Sequence, residues 1–260
     1  MTLLPLLAAG APSGPTWPDP PVDPPSGGGG GGSTPPLRWD GSTTIKITVW
    51  GNSHYAIGQG AGLENVGGFK AVRDAAGAIA ANLAVGGRSW RAMRDHAADV
   101  IASWSPLHDH NVLVVGENTN SIFGGSDGYT PRTTQAQVLA DAHDALDPVL
   151  AAHPWTVLLC STIPRGGTPA YATQNALAVA VDTYMGTHLA EFGADGFVDF
   201  RSSSWFNGDG TSYTSDTWQW MGSIGKDFDF GSPPYIHPAA EPYIAMADLI
   251  GDGLTALAAP

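Results

Sequence analysis

From Leu37 onward, short apolar or β-branched runs alternate with longer amphipathic stretches, and that alternation leaves the chain few architectures to choose from. Continuous apolar strands separated by helices bury both faces of a sheet, the pattern of a parallel sheet with helices packed on either side. Five brief strands are expected: Ile45–Trp50, Leu83–Val85, Asn111–Val115, Thr156–Cys160 and Gly196–Phe200. Helices are expected at about 68–82, 89–104, 134–152, 169–192 and 238–257. The fold class that follows is α/β: a flavodoxin-like, three-layer α/β/α sandwich around a central five-stranded parallel sheet. Ligands of such sheets collect beyond the carboxyl ends of the strands, so the residues directly after each strand are the ones to read for chemistry.

The segment ahead of this pattern is of another kind. Residues 1–36 hold ten prolines and eight glycines, including the unbroken run Gly27–Gly32. Proline favours an extended polyproline conformation and polyglycine is a flexible coil, and neither buries enough apolar surface to offset the entropy of ordering. Residues 1–36 are therefore expected to be a flexible tether suited to docking on a larger assembly, and residues 37–260 the folded domain. The first ten residues are apolar, but no Lys or Arg precedes them and Pro5 interrupts them. They lack the basic start of a secretory signal and are too short to span a bilayer.

Charge and motif content remove several function classes. With 24 acidic against 11 basic residues the net charge is −13, which leaves no cationic surface to displace phosphate counterions, so no nucleic-acid partner is expected. The single cysteine, Cys160, permits neither an internal disulfide nor a dithiol site. No metal is assigned. His108-Asp109-His110 precedes a strand, away from the expected crevice, and Asn207-Gly208-Asp209-Gly210 lacks the twelfth-position Glu of a calcium loop. No cofactor is assigned either, because Gly58-Gln59-Gly60-Ala61-Gly62 misses the dinucleotide spacing. The string Asp227-Phe228-Asp229-Phe230-Gly231 looks kinase-like but stands without the other kinase motifs.

The strand ends carry a more coherent set. Gly51-Asn52-Ser53-His54 follows the first strand, and a serine on a sharp turn can expose its Oγ and present its own N–H beside it. Gly86-Gly87 follows the second, where glycine lets a backbone N–H approach a ligand closely. Gly116-Glu117-Asn118-Thr119-Asn120 follows the third, with amides able to donate to a developing oxyanion or to close a turn. His237-Pro238 opens the last helix. Each is ordinary alone; together they fall where one crevice collects them.

Over about residues 44–257 this ordered set resembles the SGNH (GDSL-type) esterase and lipase superfamily. The resemblance implies that Gly51-Asn52-Ser53 stands where the family has Gly-Asp-Ser, making Ser53 the nucleophile with Asn52 in place of the acid. It implies an oxyanion hole from the N–H of Ser53, the N–H of Gly87 (or, failing that, Gly86) and the side chain of Asn118, which falls in a Gly-x-Asn-Asp-like block. The family's Asp-x-x-His-Pro block appears as Pro234-Tyr235-Ile236-His237-Pro238, keeping the histidine and proline but not the aspartate. That acid normally fixes the imidazole tautomer and stabilises the imidazolium. Three replacements compete: a backbone carbonyl holding a Ser53–His237 dyad, then a displaced acid, Asp229 or Asp227, and last a decayed site.

The implied chemistry is hydrolysis of an acyl ester, short-chain such as acetyl, on a small molecule or a glycan. Trp205, Trp218 and Trp220 sit in an aperiodic stretch before Tyr235, suited either to stacking on sugars or to a satellite core. Phe123 and Tyr129 offer the same choice on the other rim. The Pro/Gly-rich tether resembles that of bacteriophage tail-associated enzymes and implies a virion-associated or extracellular setting. The alternative to an esterase is a non-catalytic module binding a glycan or a partner on the same scaffold.

Overall fold

The computed structural model describes residues 36–56, 62–165, 171–203, 206 and 240–258. Five strands, β1 (Ile45–Gly51), β2 (Ile79–Asn82), β3 (His110–Gly116), β4 (Thr156–Cys160) and β5 (Gly196–Val198), form one sheet in the order β2-β1-β3-β4-β5. Every pairing is parallel. The helices are α1 (Ser53–Ala56), α2 (Gly67–Ala75), α3 (Trp90–Asp95), α4 (Ala97–Ser103), α5 (Thr119–Phe123), α6 (Gln135–Ala152), α7 (Ala172–Thr187) and α8 (Ala240–Leu257).

The two-residue alternation of the strands sorts their side chains into two cores. Ile45, Ile47, Val49, Val112, Val114, Leu158 and Cys160 face one side, where Phe69 of α2 and Tyr243, Met246, Ile250 and Leu254 of α8 cover them. Trp50, Leu113, Val115, Val157 and Leu159 face the other, under Trp90, Val100, Val138, Leu146, Val181 and Met185 from α3, α4, α6 and α7. The central strand β3 is buried from Asn111 to Gly116, which is why its sequence carries no polar alternation. This is the doubly wound sandwich expected from the sequence.

Helices α2 and α8 touch backbone to backbone. A Cβ on Gly251 would lie 2.5 Å from the carbonyl carbon of Gly68, and Asp248 Oδ1 accepts from the Gly68 N–H at 2.6 Å at the start of α2. A carboxylate there satisfies an orphan amide and favours the positive end of the helix dipole.

Several boundaries differ from the sequence expectation. The first helix stops at Ala75, not Asn82, because Gly77 adopts a left-handed φ of +61°. Its N–H donates to Asp74 O and that of Ala78 to Arg73 O, closing a Schellman cap. Strand β2 therefore begins at Ile79, and the expected strand Leu83–Val85 is its irregular continuation: Leu83 N–H and Val85 N–H still donate to Val49 O and Gly51 O. The helix expected over 89–104 breaks at His96, and that over 169–192 ends at Thr187 before a 3-10 turn, Leu189–Phe192.

Candidate active site

The register of β1 on β3 pairs Gly51 with Gly116, so the turns that leave these strands lie side by side at the carboxyl edge. Both glycines make room for one ring. A Cβ on Gly51 would come within 2.6 Å of Tyr55 Cδ2, and one on Gly116 would collide with the Tyr55 hydroxyl. Tyr55 is thus seated beneath the turn that carries Ser53.

Ser53 is the first residue of α1 and is half-buried. The turn is shaped by the residue before it: Asn52 Oδ1 accepts from the His54 N–H at 2.9 Å, while Asn52 O accepts from Tyr55 and Ala56. This Asx turn starts the short helix and fixes where the serine points.

The second block meets the serine. A Cβ on Gly86 would stand 3.5 Å from Ser53 Cβ, so Gly86 rather than Gly87 is the residue seen against it. Gly87 has a left-handed φ of +78°, its carbonyl accepts from the Ser126 N–H at 3.2 Å, and a Cβ there would collide with the Ser126 hydroxyl. Gly87 is held by the loop opposite, and Gly86 is brought to Ser53.

Asn118 is held in a buried network at the start of α5. It is 1% exposed, with the only positive φ (23°) among the described non-glycine residues. Its Oδ1 accepts from Trp90 Nε1 at 2.7 Å, and its Nδ2 donates to Asp182 Oδ1 at 2.7 Å. The amide expected to face an oxyanion is spent on a buried carboxylate. The neighbouring amide is engaged as well: Asn120 Nδ2 donates to Arg88 O, and Asn120 Oδ1 accepts from Arg165 Nη2.

Two buried acids that the sequence reading did not single out organise this edge. Asp182 accepts from the Thr162 N–H and hydroxyl, from Asn118 and from Arg201 Nη1, the last at 2.5 Å. It so ties α7 to the turns after β3, β4 and β5. Burial raises its pKa against the lowering effect of Arg201. A lone carboxylate amid the apolar run 176–185 was the available signal. Glu117, 3% exposed, accepts from Asn120 N–H (2.5 Å), Ser121 N–H (3.3 Å) and the Ser121 hydroxyl (2.7 Å), and the Asn52 side chain beside it also favours its ionised form. Burial pushes its pKa up to about 7, against the pull of those donors.

His237, Asp227, Asp229, Trp205, Trp218 and Trp220 lie outside the described residues, as do residues 1–35. Among the described residues no group of three or more His, Cys, Asp or Glu is placed to hold a metal, and no helix is long and apolar enough to cross a membrane. Phe206, from the aromatic stretch, is buried in the core against Phe200. On the other rim Phe123 meets Tyr171 edge-on, and the Tyr129 hydroxyl donates to Asp95 Oδ2 while Arg91 covers its ring.

No protein-family model matches the chain, and no curated protein matches it in sequence. Solved structures do. A member of the lipolytic G-D-S-L family from Veillonella parvula superposes with a TM-score of 0.54 at 14% identity, covering 80% of this chain and 97% of that one. A protein described as a GDSL-like lipase from Parabacteroides merdae gives 0.55 at 16% identity, covering 86% and 100%. The fold is that of the GDSL-type hydrolases. A variant of an acetyl-xylooligosaccharide esterase from Geobacillus shares it as well, with a TM-score of 0.54 at 14% identity over 84% of this chain and 96% of that one.

Proposed function

We propose that this chain is a serine esterase that removes short acyl groups, acetyl above all, from a glycan or another O-acylated substrate. The observation that carries the reading is the contact at the sheet edge: Ser53 heads α1 directly after β1, with Gly86 against it and the β3 turn alongside. A GDSL-type fold with a neighbour named for acetyl-xylooligosaccharides supports the choice of acyl and leaving group.

In this reading His237 takes the proton of Ser53 Oγ as the oxygen attacks the ester carbonyl, and the carbonyl π-electrons move onto its oxygen. Backbone N–H groups of Ser53 and of Gly86 or Gly87 receive that oxyanion, stabilising charge where it develops. Collapse expels the alcohol, which leaves with the proton from His237. Water, deprotonated by His237, then releases the acid and restores Ser53. A backbone carbonyl or Asp229 orients the imidazole. Residues 1–36 serve as a tether that delivers residues 37–260 on a larger assembly, such as a phage tail.

A chromogenic acetyl ester tests the reading. Turnover should be lost in Ser53→Ala and in His237→Ala. One observation favours a second reading: the Asn118 amide, expected to receive an oxyanion, is engaged by Asp182. On that reading the chain is a glycan-binding module. Absence of turnover in wild type, with retained binding of acetylated xylan in a pull-down, would establish it instead.

A further inference from the structure

Asn52 and Glu117 are the first residues beyond a matched pair, Gly51 and Gly116, on adjacent parallel strands. They line one small cavity below the crevice, where the Asn52 side chain favours the ionised form of the Glu117 carboxylate. The side-chain oxygen of Asn52, Oδ1, accepts from His54 N–H and so sets the serine turn. The remaining acceptor capacity of Glu117 is filled by Asn120 and Ser121, which set the turn after β3. One carboxylate therefore fastens together the two turns on which the proposed chemistry depends.

We propose that Glu117 is a positioning residue for the esterase, acting through Asn52 on Ser53 and through Asn120 and Ser121 on the β3 turn. The inference rests on the acyl-transfer reading above. Its physical basis is the set of donors: two N–H groups and a hydroxyl converge on the two oxygens, with the Asn52 side chain beside them, an arrangement suited to an ionised carboxylate. Protonation turns one acceptor into a donor facing other donors, so the bridge opens. The titratable groups around Glu117 are His54 and Tyr55 of α1, which line the same cavity, and Arg165 beyond β4, while Cys160 at the end of β4 and Asp182 of α7, paired with Arg201, act on the same Tyr55 phenol. Burial of Glu117 brings its titration to about 7, inside the working range of an esterase.

The experiment is a set of pH–rate profiles from pH 5 to 9 on a chromogenic acetyl ester, for wild type, Glu117→Gln, Asn52→Asp and the double variant, with Ser53→Ala as blank. Below both titrations the wild-type kcat should fall about a hundredfold per pH unit, because Glu117 and His237 must both lose protons. Glu117→Gln should fall only about tenfold per unit, and its kcat at pH 8 should be down roughly tenfold with KM within about twofold of wild type. Asn52→Asp sets two carboxylates in contact and should lower kcat by a similar factor, whereas the double variant rebuilds the acid–amide pair with its polarity reversed. It should recover to within about threefold of wild type, a coupling that independent sites do not show. Thermal unfolding of each variant verifies that the rates come from folded protein. A Glu117→Gln enzyme with unchanged kcat and an equally steep acid limb, or a double variant no better than the product of the singles, overturns the inference and leaves the esterase reading intact. A wild type indistinguishable from Ser53→Ala overturns both.

Discussion

Asn118 Nδ2 donates to Asp182 Oδ1 across 2.7 Å, and this bond joins the turn after β3 to the middle of α7. Because both groups are buried, the bond serves the fold first. Asn118→Ala should cost about 1–3 kcal/mol by leaving Asp182 short of a donor. Denaturant unfolding followed by circular dichroism measures it. A mutant of wild-type stability whose turnover drops about a hundredfold would show instead that the amide leaves Asp182 for the oxyanion during the reaction.

Removing the acid is expected to be worse than removing the amide. Asp182→Ala leaves the Arg201 guanidinium without its buried carboxylate, as well as the Thr162 and Asn118 donors. Breaking a buried pair from one side typically costs about 3–5 kcal/mol. The unfolding midpoint should fall far more than for Asn118→Ala, and a shift of equal size would indicate that Arg201 finds another partner.

The adjacent glycines should separate fold from chemistry. Gly86→Ala adds a methyl in ordinary contact with Ser53, so its melting temperature should stay near wild type while turnover falls. Gly87→Ala forces a left-handed φ on alanine and a collision with Ser126, and should lose roughly 1–3 kcal/mol of stability. Differential scanning fluorimetry beside an ester assay reads both. Equal stability losses would mean that the loop bearing Ser126 yields.

Helix contact sets a further test. Gly251→Ala places a methyl on the Gly68 carbonyl and should destabilise by about 1–3 kcal/mol through overpacking, without a direct effect on turnover per folded molecule.

Glu117 gives stability a pH dependence of its own. Its carboxyl titrates near 7 when folded against an ordinary 4.5, so between those values the folded chain holds a proton that the unfolded chain has released. Stability from this group is therefore fullest below about pH 4.5 and is lost as pH rises to about 7, by on the order of 3 kcal/mol. Glu117→Gln should flatten that slope in unfolding measured at pH 5 and pH 8. An identical slope in both proteins would place the titration elsewhere.

The strands that sit in the middle of the sheet were legible because their burial on both faces removes polar residues from the sequence: β3 and β4 fall within a residue of expectation. The edge strand β2 was not, since only its partner on one side and the left-handed turn at Gly77 decide where it begins. The turn that carries Ser53 was legible because it directly follows a strand, whereas of the two glycines after β2 the sequence favoured Gly87 and the structure sets Gly86 against Ser53. What the sequence hid was the direction of side chains. Nothing local tells Asn118 to reach for a carboxylate 64 residues away, or Glu117 to reach sideways to Asn52 instead of outward. The acids that organise the edge emerge only once α7 and the strand turns are brought together.

Tyr55 occupies a socket that exists only because two neighbouring strands both end in a residue without a side chain. Gaining a methyl group at either strand terminus would evict the phenol and raise the hydroxyl-bearing loop above it, so neither terminus can drift alone. Any redesign of this crevice, natural or engineered, has to alter aromatic plug and both strand ends in concert.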